Sequence, residues 1–175
     1  ADPAQTRAAV RWAAYHTGPS YLRIPRFPVP AVTAPGTAFE FGRGVQLTDG
    51  DDITIVTAGT LVSRALDAAE QLAADGSRAR VINMPFVEPL DHTAVLAAAR
   101  QTRGIVTAEE ATVTGGLGAA VATLLAQTHP GPMRILGVPR TFAPTGSASF
   151  LLEHYGLTAH GIAAAARELA GNGTQ

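Results

Sequence analysis

Cysteine is absent from the 175 residues, which excludes disulfides, thiolate metal sites and a cysteine nucleophile. Aromatic residues make up only 6% of the chain, so the core has to be built from aliphatic side chains and closely packed, alanine-rich helices. No block of one charge sign occurs: 13 basic and 14 acidic residues leave a net charge of -1. That balance argues against a nucleic-acid or polyanion surface. No apolar run reaches membrane-spanning length and no signal peptide is recognisable, so a soluble, cytoplasmic protein is the expectation. An initiator methionine is missing too. The opening Ala1-Asp2-Pro3 reads as an end made by processing, a cloning boundary or a proteolytic cut.

What is present suits one full domain with something extra. Hydrophobic residues reach 46%, enough for a sizeable core. Asp2 followed by Pro3 is a helix opening, a capping carboxylate before proline in the first turn, and predicts a helix over Pro3 to His16. Gly18-Pro19 breaks it, and Ser20-Tyr21-Leu22-Arg23-Ile24 alternates like a short strand. Pro25, Pro28, Pro30 and Pro35 then crowd one stretch. Each fixes a backbone dihedral and removes a donor, so residues 27–41 read as a Pro-rich linker. One helix and one strand bury no core by themselves, so residues 1–26 read as the end of another domain.

After the linker a regular alternation begins. Strands are predicted at Arg43 to Leu47, Ile53 to Thr57, Ala79 to Ile82, Gly104 to Ala108 and Met133 to Leu136. The tight turn Thr48-Asp49-Gly50-Asp51 implies that the first two run antiparallel. Helices are predicted at Leu61 to Ala74, Thr93 to Arg100 behind Asp91, Leu117 to Ala126, Ser147 to His154 and Thr158 to Leu169. Strands alternating with helices give a mostly parallel sheet covered on both faces, a three-layer α/β/α domain with one antiparallel edge strand.

Three features carry candidate chemistry. Glu109-Glu110 sits just past a strand's carboxyl end, where open α/β sheets place ligands. Paired carboxylates serve acid/base work or a divalent ion; the commoner role of such acids is to cap the next helix or pair across an interface. Gly115-Gly116-Leu117-Gly118 opens a helix whose N–H groups suit an anion. It lacks the lysine of a phosphate loop and the spacing of a dinucleotide fingerprint, and close backbone packing explains it better. Arg23 and Arg26 flank Ile24-Pro25 and form a possible phosphate or carboxylate clamp. No two of the five histidines have zinc-motif spacing, and no serine lies in a nucleophile elbow. The residues alone give no catalytic, cofactor or metal site.

Several blocks, in order, resemble the transketolase superfamily. Gly18-Pro19-Ser20-Tyr21-Leu22-Arg23-Ile24-Pro25-Arg26 resembles the end of its pyrimidine-binding domain. Thr54 to Gly59, Arg80 to Pro85, Glu88 to Asp91, Val106 to Glu110 with Gly115 to Val121, and Gly137-Val138-Pro139 with Tyr155 to Thr158 resemble its C-terminal domain. The Val-Ile-Asn-Met and Leu-Leu-x-x-Tyr-Gly-Leu-Thr stretches are most similar to the small, C-terminal subunit of split bacterial transketolases. Deoxyxylulose-phosphate synthase and the beta subunits of 2-oxoacid dehydrogenases share the domain and are the alternatives.

The resemblance implies a mixed five-stranded sheet of order 1-3-2-4-5 with strand 1 antiparallel. It implies a C-terminal domain at 42–175 and a pyrimidine-domain remnant at 1–26. It implies an enzyme that moves a two-carbon ketol unit between sugar phosphates with thiamine diphosphate and Mg2+. Other domains of that enzyme hold the cofactor, through a Gly-Asp-Gly motif with a downstream Asn and through a Glu. This chain has no Gly-Asp-Gly, so it is expected to bind no cofactor and to be inactive alone. The expected partners are the missing diphosphate- and pyrimidine-binding domains or subunit, in a homodimer or heterotetramer. By the same resemblance Arg26, and second Arg23, binds the substrate phosphate, while Glu109, Glu110, Gly115, Gly116 and Gly118 belong to an interface or to the rim of the site. Where the family often has His after the Glu pair, Ala111 stands, and where it often has Asp after Gly-Val-Pro, Arg140 stands. Roles tied to those two positions are not carried over.

Overall fold

A computed structural model describes residues 1–171, so the end of the expected 42–175 domain lies outside the described residues. Helix α1 (Pro3–Tyr15) starts as its sequence dictates: Asp2 is extended and its side chain accepts from the Gln5 N–H. Beyond α1 the expected strand at Ser20 to Ile24 does not form, and no regular element appears before residue 45. A strand exists by virtue of its ladder, and no other strand among the described residues lies beside this segment.

The sheet comprises β1 (Val45–Thr48), β2 (Ile53–Thr57), β3 (Ala79–Asn83), β4 (Ile105–Thr112) and β5 (Met133–Val138). Its order is β1-β3-β2-β4-β5. β1 pairs with β3 antiparallel, while β2–β3, β2–β4 and β4–β5 are parallel. β1 and β2 thus run in opposite senses, as their turn implies, but they form no hairpin. β3 lies between them, because the β2–helix–β3 crossover returns beside β2 first.

Helix α2 (Leu61–Ala74) follows β2, α3 (His92–Gln101) follows β3, and α4 (Leu117–Thr128) follows β4; α5 (Ala148–His154) and α6 (Ala159–Gly171) close the chain. Two apolar clusters sandwich the sheet. Alternate residues of the strands decide which cluster they join. Ile53, Ile55, Val81, Val106 and Ala108 face one way and pack with Leu61, Ala65 and Leu72 of α2 and Ile162, Ala166 and Leu169 of α6. Val56, Ile82 and Ile105 face the other, against Val95 and Ala98 of α3 and Leu117, Val121 and Leu125 of α4. All five residues of β2 are buried, as expected for a central strand covered on both faces. Truncating Ile55, 0% exposed, to alanine would cost about 2–5 kcal/mol.

The leading segment is fastened to this domain. Trp12 stacks on Phe41 with ring centres 4.8 Å apart and meets Phe86 edge-on at 5.6 Å. Phe39 and Phe41 also contact Phe86, at 5.2 and 5.3 Å. Phe27 is partly buried against the cluster beneath α2 and α6.

Candidate functional site

The carboxyl ends of the parallel strands carry the acids singled out from the sequence. Glu109 and Glu110 do not follow the strand; they lie within β4, which runs on to Thr112. The β4–β5 ladder is irregular between Ala108 and Thr112 and resumes at Thr112 opposite Val138. Successive strand residues point to opposite faces of the sheet, so the two carboxylates meet different helices.

Glu109 is 5% exposed. Its Oε2 accepts from the Leu117 N–H at 2.9 Å and its Oε1 from the Gly118 N–H at 2.8 Å. The carboxylate therefore fills the first turn of α4, where free N–H groups and the helix dipole favour negative charge. Gly116 leaves room for it, and Gly118 lets α4 approach β5. A Cβ on Gly116 would lie 2.2 Å from Glu109 Oε2, and one on Gly118 would lie 2.4 Å from Ile135 Cγ2. Gly115 supplies the turn with φ +79°. An anion arriving from solution finds these two donors taken, so Glu109 and Gly115 to Gly118 form a structural unit rather than a ligand cradle. Glu110 is half-buried and accepts from the Thr60 hydroxyl at the start of α2, tying β4 to that helix. Asn83 at the end of β3 is 0% exposed, with neither amide atom hydrogen-bonded; the sequence marks it only as part of the Val-Ile-Asn-Met stretch, not as a site residue.

The two arginines are elsewhere. Arg23 and Arg26 are exposed, ahead of Phe27, and neither has a hydrogen bond or ion pair among the described residues. No bond joins them to Glu109 or Glu110. Elsewhere in the leading segment a buried acid makes long-range bonds that the sequence does not signal. Asp2 is 1% exposed. Its Oδ1 accepts from Gln5 N–H at 2.8 Å; its Oδ2 accepts from Val32 N–H at 3.0 Å, Thr33 N–H at 2.8 Å and Thr33 Oγ1–H at 2.6 Å. Burial by itself would raise the carboxyl pKa, but the hydrogen bonds from Gln5, Thr33 and Val32 outweigh it and hold the group well below the usual aspartate range. The capping signal was legible at Asp2; its long-range partners were not.

An open groove beside β1 is lined by Thr37, Phe39, Glu40, Arg43, Val45 and Pro85. Its two charges are opposite in sign, and Arg43 already faces Asp91 at 3.6 Å. Among the described residues no three His, Asp or Glu converge in a way that could hold a metal ion.

Residues 42–162 match the family described as "Transketolase, C-terminal domain". The chain belongs to that family. Its sheet order and antiparallel first strand are those of the transketolase C-terminal fold. Similarity extends ahead of residue 42. The 6-deoxy-6-sulfo-D-fructose transketolase subunit SqwH of Clostridium sp. (strain MSTE9) is 42% identical over 96% of this chain and 52% of its own length. A 1-deoxy-D-xylulose-5-phosphate synthase of Heliobacterium modesticaldum is 42% identical over 97% of this chain but 27% of its own length. A solved structure described as a split gene transketolase, inactive beta4 tetramer, superposes with a TM-score of 0.93 at 44% identity, covering 98% of this chain and 56% of that one. The chain thus spans about half, or less, of these transketolase-family relatives.

Enzymes of the transketolase family in general depend on thiamine diphosphate. Glu109 is engaged at the start of α4 and Glu110 by Thr60, and among the described residues no cluster of metal-ligating side chains forms.

Proposed function

We propose that this chain is the C-terminal part of a thiamine-diphosphate-dependent, transketolase-type transferase that moves a two-carbon ketol unit between sugar phosphates, as in pentose phosphate metabolism. Residues 1–26 are the closing part of a pyrimidine-binding domain, 27–41 a linker, and 42–175 the C-terminal domain. Other domains or a partner subunit hold the cofactor and its Mg2+ in a cytoplasmic homodimer or heterotetramer, and this chain alone is inactive. Its contribution to the site is a phosphate-binding arginine, Arg26 or secondarily Arg23.

The observation that carries this reading is a division of roles among the charged groups. The strand-end acids are consumed by helix starts, whereas Arg23 and Arg26 are exposed without partners among the described residues. A guanidinium on a phosphate makes charge-assisted, often bidentate hydrogen bonds. In the complete enzyme Arg26→Ala should raise the KM for a phosphorylated ketose about tenfold. An unchanged KM in both Arg26→Ala and Arg23→Ala would reject the assignment.

A second reading is a purely structural assembly module. The inactive beta4 tetramer of the split-gene relative supports self-association of this kind, as do the exposed Phe142 and Phe150 after β5. Mixing this chain with the missing domains and assaying ketol transfer separates the two. Activity that survives loss of both arginines' side chains favours the module. The corresponding part of a deoxyxylulose-phosphate synthase or of a 2-oxoacid dehydrogenase beta subunit is the alternative parent, and the same assay with their substrates distinguishes it.

A further inference from the structure

We propose that Asp2 is a positioning residue for the arginine-bearing segment: its buried carboxylate clamps the start of α1 to Val32 and Thr33 and so fixes the loop that carries Arg23 and Arg26. The inference rests on the phosphate-binding reading above and adds to it the group that sets the arginines' geometry.

The Asp2 carboxylate receives four hydrogen bonds, one from its own helix and three from residues about thirty positions away. An N-cap needs only the first of these. The other three close residues 3–31 into a loop with its two ends joined at one side chain. The main-chain oxygen of Asp2 adds bonds from the N–H and hydroxyl of Thr6, at 2.9 and 2.8 Å, which hold Asp2 rigidly on α1.

Within the loop, two more anchors narrow the freedom left. Trp12 is held by Phe41 and Phe86 at the far end of α1. Phe27, next to Arg26, is seated against the core beneath α2 and α6. Residues 16–26 have no helix or strand to stiffen them, so these anchors supply their definition. An exposed arginine on an otherwise irregular segment binds a phosphate more tightly when its backbone is held in advance, because less freedom is lost on binding. Asparagine cannot replace Asp2: of its two terminal atoms only one accepts, and its NH2 would face N–H donors.

The test compares donors in the complete enzyme. In Asp2→Asn the KM for a phosphorylated ketose should rise about fivefold or more, while kcat and the KM for an unphosphorylated ketose stay within about twofold. Asp2→Asn combined with Arg26→Ala should raise the KM no further than Arg26→Ala alone, because Asp2 acts through the arginine. If Asp2→Asn does not fold, Thr33→Val removes one of the three distant donors and should raise the same KM by a smaller factor. Equal rises for both donors would show a merely structural role and overturn the proposal. An unchanged KM in Asp2→Asn, with Arg26→Ala still raising it, would overturn the clamp and leave the phosphate reading standing. An unchanged KM in Arg23→Ala and Arg26→Ala would overturn both.

Discussion

Glu109 and Gly116 fit each other so closely that a single added carbon would not: a Cβ on Gly116 would sit 2.2 Å from a carboxylate oxygen of Glu109. The contact matters because that carboxylate satisfies the N–H groups of Leu117 and Gly118 at the buried start of α4.

Gly116→Ala should therefore destabilise the fold by about 2–4 kcal/mol, since either the acid or the helix must move. Glu109→Gln should cost about 1–3 kcal/mol, because its NH2 group would be turned toward a backbone N–H. Glu110→Gln, at a half-buried site with one hydroxyl donor, should cost less than about 1 kcal/mol. Urea denaturation of the three variants gives the ranking. A Glu109→Gln midpoint equal to that of the parent would remove the capping account.

Trp12 is the chain's single tryptophan, so its emission reports the seating of α1. Phe86 touches Trp12, Phe39 and Phe41. Phe86→Ala should shift the emission to the red and lower the denaturant midpoint seen by fluorescence more than that seen by far-ultraviolet circular dichroism. Coincident midpoints would mean that α1 and the sheet domain unfold as one unit.

The pH response of the leading segment follows from Asp2. Its carboxyl pKa is depressed in the folded chain, so the clamp contributes its full stability above the ordinary aspartate value of about 3.9. That contribution falls away as pH drops below this value toward the folded one. The stability difference between the parent and Asp2→Asn should be constant from pH 7 to about pH 5 and shrink below about pH 4. A difference that grows on acidification would contradict the sign.

Legibility in the sequence tracked how local each determinant is. Helix α2 was bounded at Leu61 and Ala74 by its apolar spacing and the Asp75-Gly76 stop, and the structure has the same bounds. Asp91 was read as a cap and accepts from the Ala94 N–H. The strand read at Ser20 to Ile24 failed because its alternation says nothing about whether a ladder partner is present. The Glu109-Glu110 pair reads as a loop after a strand ending at Ala108, whereas β4 continues to Thr112 and each glutamate finds a donor in a helix start. A capping role for Glu109 is consistent with its place before a helix start; the clamp of Asp2 on Thr33 and the Trp12–Phe41–Phe86 cluster join residues too far apart for any periodicity to reveal.

The central claim is that these residues supply framework and substrate contacts while the cofactor is held elsewhere. Titration calorimetry of this chain with thiamine diphosphate and Mg2+ tests it most directly. The account predicts no saturable heat from the chain alone and saturable binding once the missing domains are added; saturable binding by the chain alone would contradict it.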